Sequence, residues 1–298
     1  NTTTQQLKVA PLLSSWAAGG DLNTAREAAT GFGDSDTLAV AATGAAVPNT
    51  ITVNTETYDG SSWTESGNAT AGRRYAGGGG TQTAAVIFGG DTSTDNTGLT
   101  AVTEEWGGSS WTNSNNLSAT ARSAIGFGIQ TAAVAVGGQT APEALVTEVE
   151  EYNGSTWTAV TVCPFAQWAG SGCGTEAAGK VGGGRGPPGG VLSTVADYDG
   201  TNWTAAPSLI NAIAQFGLTG TQTACLQAGA DPGTYNSKAS IFDGTSFSET
   251  ADLGSGRYFA TNSASGAGST AGTVFGGGAP AATEEFSQTI TARSVDTT

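Results

Sequence analysis

The chain of 298 residues contains no histidine. That removes Ser/His/Asp triads, Cys/His dyads, imidazole metal ligands and histidine-based pH switches together. Methionine is also absent, even at position 1, so a processed or trimmed chain, or part of a longer one, is expected. Cysteine is limited to Cys163, Cys173 and Cys225, too few for a four-thiolate zinc site and enough for one internal disulfide. Cys163 and Cys173 are near enough in sequence to pair; the alternative is that they are small buried apolar residues. Basic residues are scarce, 10 against 25 acidic ones, giving a net charge of −15 and a pI near 4.1. A nucleic-acid partner is therefore not expected, because such binding needs a basic face to displace phosphate counterions. No apolar run approaches the roughly 18 residues of a membrane span, so no membrane insertion is expected. Asn1-Thr-Thr-Thr-Gln-Gln has no apolar signal-peptide core.

What the chain has in quantity is glycine, 46 residues, together with 7 Trp, 6 Tyr and 10 Phe. Disordered acidic chains carry few aromatics and much charge; here charged residues are only 12%, so a folded protein is expected. A short pattern recurs: Tyr58-Asp-Gly-Ser-Ser-Trp63, Trp106-Gly-Gly-Ser-Ser-Trp111, Tyr152-Asn-Gly-Ser-Thr-Trp157, Tyr198-Asp-Gly-Thr-Asn-Trp203 and Phe242-Asp-Gly-Thr-Ser-Phe247. Leu13-Ser-Ser-Trp16 is a tail without its head, and Thr283-Glu-Glu-Phe286 a head without its tail. The second aromatics follow one another at intervals of 44 to 48 residues. Each unit also holds an apolar stretch ending in glycine, as in Val86-Ile-Phe88-Gly-Gly and Val134-Ala-Val136-Gly-Gly. Asp-Gly and Asn-Gly suit tight turns with positive φ, and no segment sustains a 3.6-residue apolar period. Each unit thus reads as four antiparallel strands joined by a turn, a variable loop and a hairpin.

A four-stranded unit of this length, repeated six times, predicts an all-β fold: a six-bladed β-propeller of four-stranded antiparallel blades. The whole chain, 1–298, forms one such domain, in which the N-terminal strand around Trp16 completes the last blade, formed by about 257–287. The aromatics are expected to wedge between blades, since one blade cannot bury its own faces.

The units resemble the kelch repeat, which has an Arg early in the first strand, Gly-Gly after the second, then a Tyr and a Trp about six residues apart. The wording Thr-Gln-Thr-Ala-Ala…Phe-Gly-Gly…Thr-Glu-Glu-Tyr-Asn-Gly-Ser-Thr-Trp looks like kelch-like proteins of marine bacteriophages and their hosts. The resemblance implies an extracellular or virion-surface protein, and high acidity with little lysine suits such exposure. The copper oxidases of kelch type hold their metal partly through histidine, so their activity is not expected here, nor is any cofactor.

Arginine stands ten or eleven residues after the fourth-strand aromatic in four units, at Arg26, Arg73, Arg122 and Arg257, whereas the other two carry Gln167 and Ile213. The same four units carry Glu56, Glu104, Glu150 and Glu284 two residues before the closing aromatic; the other two have Ala196 and Ser240. Four ion pairs are predicted: Arg26–Glu56, Arg73–Glu104, Arg122–Glu150 and Arg257–Glu284. Structural partners for these arginines weigh against a sialidase, which is also a six-bladed propeller but clamps a carboxylate with three of them. A glycosidase needs two suitably spaced carboxylates, and no such pair is indicated, although that enzyme class remains the alternative. Asp91-Thr-Ser-Thr-Asp95-Asn-Thr-Gly98 reads as a polar loop, since its Gly and final Glu do not fit an EF-hand.

Variation between units concentrates in the second-to-third connections, from ten residues at Asp91–Thr100 to about four at Ala279–Ala282. Aromatics that break the repeat, Phe165 and Trp168, together with Arg185, Asp231 and Tyr235, define a candidate binding patch for a protein or glycan. The competing reading places Phe165 and Trp168 in the core. The function expected is non-catalytic: host attachment or particle assembly by a phage appendage or capsid-decorating component. Its partners would be other virion or surface chains, or a host glycan.

Overall fold

The computed structural model describes residues 12–141, 143–232, 236–259, 261–263, 268–278 and 281–290. Their regular elements are all strands, assembled chiefly into four-stranded antiparallel sheets, a propeller-like architecture. Sheet 1 holds Thr30–Ser35, Leu38–Ala42, Thr55–Tyr58 and Trp63–Glu65, and sheet 2 holds Gly77–Gly80, Ala85–Phe88, Thr103–Trp106 and Trp111–Ser114. Sheet 3 holds Ile125–Ile129, Ala132–Val136, Val149–Tyr152 and Trp157–Ala159; sheet 4 holds Ser171–Thr175, Ala178–Gly182, Val195–Tyr198 and Trp203–Ala206. Sheet 5 holds Gly217–Thr221, Ala224–Ala228, Ala239–Phe242 and Phe247–Glu249. Sheet 6 joins Thr261–Ser263, Ala271–Phe275 and Thr283–Ile290 to Leu12–Ala18, with Trp16 opposite Phe286.

The hairpin motif acts locally. Asp59 Oδ1 accepts the N–H groups of Ser61 and Ser62 at 2.9 and 2.8 Å, and Gly60 takes φ +89°. Asn153, Asp199 and Asp243 hold their turns in the same way. These turns set Tyr58 opposite Trp63, Tyr152 opposite Trp157 and Tyr198 opposite Trp203.

The first strands explain much of the glycine. They lie side by side near the centre, where a Cβ on Gly126 would run into the backbone of Gly78, and one on Gly79 would stand 2.8 Å from the Gly128 carbonyl oxygen. Just before each first strand the chain passes through one left-handed residue: Ala28, Tyr75, Ser123, Ala169, Gln215 and Phe259, with φ between 51 and 58°. This conformation is strained for residues with a Cβ. It turns each peptide toward the neighbouring unit, so that Tyr75, Ser123, Ala169 and Gln215 donate their N–H groups to the carbonyls of Ala28, Tyr75, Ser123 and Ala169.

Contacts between sheets repeat as well. Trp63 stands 4.8 Å from Phe275 and donates Nε1–H to Thr283 Oγ1 at 2.9 Å. Trp111 and Trp157 make the same 2.9 Å bond to Thr55 and Thr103 of the preceding sheet. Where Val149 or Ala239 replaces that threonine, Trp203 and Trp16 donate to the carbonyls of Thr161 and Ala251. Phenols behave in parallel: Tyr58 donates to Glu285, Tyr152 to Glu105 and Tyr198 to Glu151. The units with Trp106, Phe242 or Phe286 at the tyrosine position have no phenol there, and the preceding sheet carries Thr57, Asp197 or Ile241. Burial, followed by the neighbouring carboxylate, pushes the Tyr58 and Tyr152 phenols up to about 12.

A glutamine in the first hairpin of three sheets completes these seams. Gln82 Nε2 donates to the carbonyls of Tyr58 and Ala39, Gln130 to those of Trp106 and Ala85, and Gln222 to those of Tyr198 and Gly179. Sheet 4 has Glu176 at that position, and desolvation followed by the charge of Glu151 pushes its carboxyl up. A raised carboxyl contributes stability at low pH that is lost as pH rises through the carboxylate range. Glu176→Gln is expected to restore donation to the carbonyls of Tyr152 and Ala133 and to stabilise by about 1 kcal/mol. Thermal melts at pH 5 and pH 8 test this: the gain should be larger at pH 8, and an equal or reversed difference contradicts it.

Three of the four predicted ion pairs form, but the arginines precede the first strand rather than open it. Arg26, Arg73 and Arg257 donate through Nη2 to Glu56, Glu104 and Glu284, and all three arginines are fully buried. Nη1 also donates to the carbonyl before the third strand, that of Asn54, Val102 or Ala282, at 2.7 to 2.9 Å. The opposite edge of each carboxylate accepts backbone N–H groups, from Asn23 and Thr24, from Thr70, and from Gly254 and Ser255.

The fourth pair, Arg122–Glu150, does not form. Arg26, Arg73 and Arg257 lie two residues before the left-handed position, and Arg122 only one. Ala121 stands at the arginine position of sheet 3, and Arg122 corresponds to Arg74. The three cysteines are free and buried, so Cys163 and Cys173 are not paired. Burial raises the Cys163 thiol to about 11, and contact with Cys225 together with burial pushes the Cys173 thiol well up.

Candidate binding face

Because neighbouring strands alternate in direction, the second-to-third and fourth-to-first connections emerge on the same side of the sheets. On that side the residue after the arginine position meets the residue after the Gly-Gly. The pairs are Glu27 with Ala45, Arg74 with Asp91, Arg122 with Gln139, Trp168 with Arg185, and Ala214 with Asp231. Local backbone pairing thus fixes where these side chains start, while their identity differs from sheet to sheet.

Charged side chains link these pairs across sheets 2 and 3 and across sheets 4 and 5. Asp91 Oδ2 lies 3.8 Å from Arg74 and 3.9 Å from Arg122, and its residue is fully buried. Arg122 donates Nε and Nη2 to Gln139 Oε1 at 2.9 and 2.6 Å. Asp91 Oδ1 accepts Ser93 N–H, Ser93 Oγ–H and Gly98 N–H, which folds the Asp91–Gly98 loop on itself. Further round, Arg185 reaches from sheet 4 to the Asp231 carboxylate of sheet 5.

Of the five residues singled out from the sequence, three are brought together. Arg185 and Asp231 form an ion pair with about a quarter of each side chain exposed, and Trp168, half-buried, exchanges backbone hydrogen bonds with Arg185. Phe165, half-buried, packs against the apolar cluster that includes Ile125, Val136, Cys163 and Val181. Tyr235 lies outside the described residues. The sequence reading missed Arg74 and Arg122 as members of this face; the signal was present in Arg122 standing eleven rather than ten residues after its aromatic.

At the centre of the same side, the left-handed residues rim a cavity of about 110 Å³ that includes Tyr75, Ser123, Gln215, Phe216 and Phe259. The Tyr75 and Phe259 rings lie 5.1 Å apart, tilted by 49°, and the Arg74 guanidinium lies 5.0 Å from the centre of the Tyr75 ring. Burial pushes the Tyr75 phenol up, so it stays neutral at physiological pH. Below lies a cavity of about 170 Å³ between the first strands, lined by glycines including Gly78, Gly126 and Gly172. An aromatic rim with hydroxyl and amide groups, flanked by guanidinium and carboxylate, can bind a polar ligand by stacking and hydrogen bonding.

The fold and this face define an all-β, propeller-like protein with its varied side chains gathered on one side. The chain matches no known family model, and no curated protein matches its sequence.

Proposed function

We propose that the chain is a closed six-bladed β-propeller of kelch type that serves, without catalysis, as an interaction or structural component on a virion surface or outside a cell. A phage appendage or capsid-decorating protein engaged in host attachment or particle assembly is its most concrete form. Closure is supported by the pairing of Leu12–Ala18 with Thr283–Ile290 and by the bonds from Trp63 and Tyr58 to Thr283 and Glu285. They are the same bonds that join consecutive sheets elsewhere. The reading of 1–298 as a single domain rests on that closure.

The observation that carries a binding role is the segregation of the departures from the repeat to one face, with Trp168, Arg185 and Asp231 together on it. A rigid scaffold with one varied loop face is the usual construction of a binding surface. Against a sialidase-like reading, Arg26, Arg73 and Arg257 are each engaged by a glutamate inside a sheet.

Electron cryomicroscopy of native particles is expected to show this chain in ordered contact with capsid or tail subunits through this face. Arg185→Glu should weaken rebinding to stripped particles at least tenfold, with little change in Tm. A free monomer that hydrolyses glycans would overturn the proposal in favour of the glycosidase.

A further inference from the structure

The arginine position of sheet 3 is open. Ala121 stands there, and beside it lies a cavity of about 230 Å³ lined by Ala121, Ala135, Gly137, Val146, Glu148 and Glu150. In sheets 1, 2 and 6 the corresponding space is occupied by the guanidinium of Arg26, Arg73 or Arg257.

The two acceptors shared by all three guanidinium groups, the glutamate and the carbonyl before the third strand, have counterparts in sheet 3. Glu150 takes the place of Glu56, Glu104 and Glu284 in the strand register, opposite Ala135 as Glu104 is opposite Ile87. Ser118, at the position of Thr70, donates its N–H to both Glu150 oxygens at 3.2 and 3.1 Å and its Oγ–H to Oε1 at 2.9 Å, whereas Thr70 N–H meets only Oε2 of Glu104. The carbonyl of Glu148 corresponds to that of Val102, since Gly137 N–H and Gly89 N–H donate to them at 2.9 and 3.1 Å. The carboxylate is therefore anchored from the same loop position, though half-buried and turned toward Ser118, and the carbonyl lies in the same register as in the occupied sites.

The other two units lacking arginine have closed the space and lost the glutamate. In sheet 5, Ile213 is buried at the arginine position, while Ser240 Oγ donates to Gln227 Oε1 and Gln227 Nε2 donates to the Gly229 carbonyl. The cavity there is about 10 Å³. In sheet 4, Gln167 is fully buried at that position and Ala196 stands at the glutamate position. Sheet 3 alone among these combines a small residue with a retained carboxylate. Its cavity reaches solvent between Ser118 and Glu148, both exposed.

We infer that this cavity is a receptor for a guanidinium group supplied from outside the chain, namely an arginine side chain of a partner protein. Guanidinium fits because its planar fork of donors can meet a carboxylate and a carbonyl together, which an ammonium point charge does less well. The net charge of −15 favours approach of such a cationic group. This site is separate from the Trp168–Arg185–Asp231 patch and does not depend on a virion location.

Titration of the intact protein with methylguanidinium, followed by NMR, tests the inference, with methylammonium as the control for charge alone. Saturable shifts are expected at Ser118, Gly137 and Glu150 amides with methylguanidinium, at least fivefold tighter than with methylammonium. Glu150→Gln should weaken this binding at least tenfold. Ala121→Arg should abolish it and raise Tm, because the side chain fills the site from within. Arginine capped as N-acetyl-arginine methylamide should bind at least as well as free arginine, since a partner presents the residue within a chain. Preference for free arginine would overturn the assignment to a partner protein. Absence of saturable shifts, or shifts unchanged in Glu150→Gln, would overturn the site itself, whether or not Ala121→Arg folds.

Discussion

Arg73→Ala is expected to destabilise the protein by about 3–5 kcal/mol, because it leaves Glu104 as an uncompensated buried charge. Neither side chain of that pair is exposed to solvent. Burial lowers the Arg73 pKa and the neighbouring Glu104 works against that shift. Its Nη1 also satisfies the Val102 carbonyl at 2.7 Å, a bond that alanine cannot replace. Arg122→Ala, by contrast, should cost about 2 kcal/mol, the loss of charge-assisted hydrogen bonds to Gln139, since the buried Asp91 carboxylate that Arg122 also approaches at 3.9 Å keeps Arg74 at 3.8 Å. Urea unfolding of the two variants checks the contrast. Equal losses would restore the idea that Arg122 is the fourth member of the ion-pair set. A double variant, Arg73→Met with Glu104→Leu, should lose much less than Arg73→Ala alone, because apolar side chains of similar volume carry no desolvation cost.

Trp63→Ala should also cost about 3–5 kcal/mol, from lost apolar contact and from the cavity that remains. The indole is 5% exposed, lies tilted against Tyr58 at 4.9 Å, meets Phe275 edge-to-face at 4.8 Å, and bonds Thr283. It joins sheet 1 to sheet 6, whose strands come from both ends of the chain. Loss of this side chain should therefore weaken the seam between sheets as well as the local core. Trp63→Phe separates the contributions: it keeps most of the apolar surface and should cost about 1 kcal/mol for the N–H bond. A loss below 1 kcal/mol for the alanine variant would show that the indole is not a wedge between sheets.

The local features of the fold were legible in the residues themselves. Asp59-Gly60 and its counterparts select a turn through bonds spanning two or three residues, so the hairpins could be read without knowing any neighbour. The alternation of Gly-Gly, third-strand aromatic and fourth-strand aromatic likewise placed the strands and the offset pairing of Leu12–Ala18 with Thr283–Ile290. Three of the four ion pairs followed from comparing units, because Arg and Glu occupy fixed positions in a repeated frame. The fourth failed over a single residue. Whether Arg122 corresponds to Arg73 or Arg74 is set by the left-handed residue that follows, and Ala, Ser, Tyr, Gln and Phe at those positions give no sign of positive φ.

The candidate face divides in the same way. Trp168, Arg185 and Asp231 stood out because they depart from the repeat, whereas Phe165 departs from it equally and is drawn into an apolar cluster. The correspondence between Tyr58 and Glu285, Tyr152 and Glu105, and Tyr198 and Glu151 was present in the sequence, yet it has meaning only once each sheet is known to lie against the preceding one. The residues alone determined strand order, turn chemistry and the repeating frame, since those depend on interactions within one unit. Packing decided which glycines are indispensable, which arginines are buried, and that the space beside Glu150 stays open while its equivalents are filled. Those outcomes depend on how closely neighbouring backbones approach, a distance that no single unit encodes.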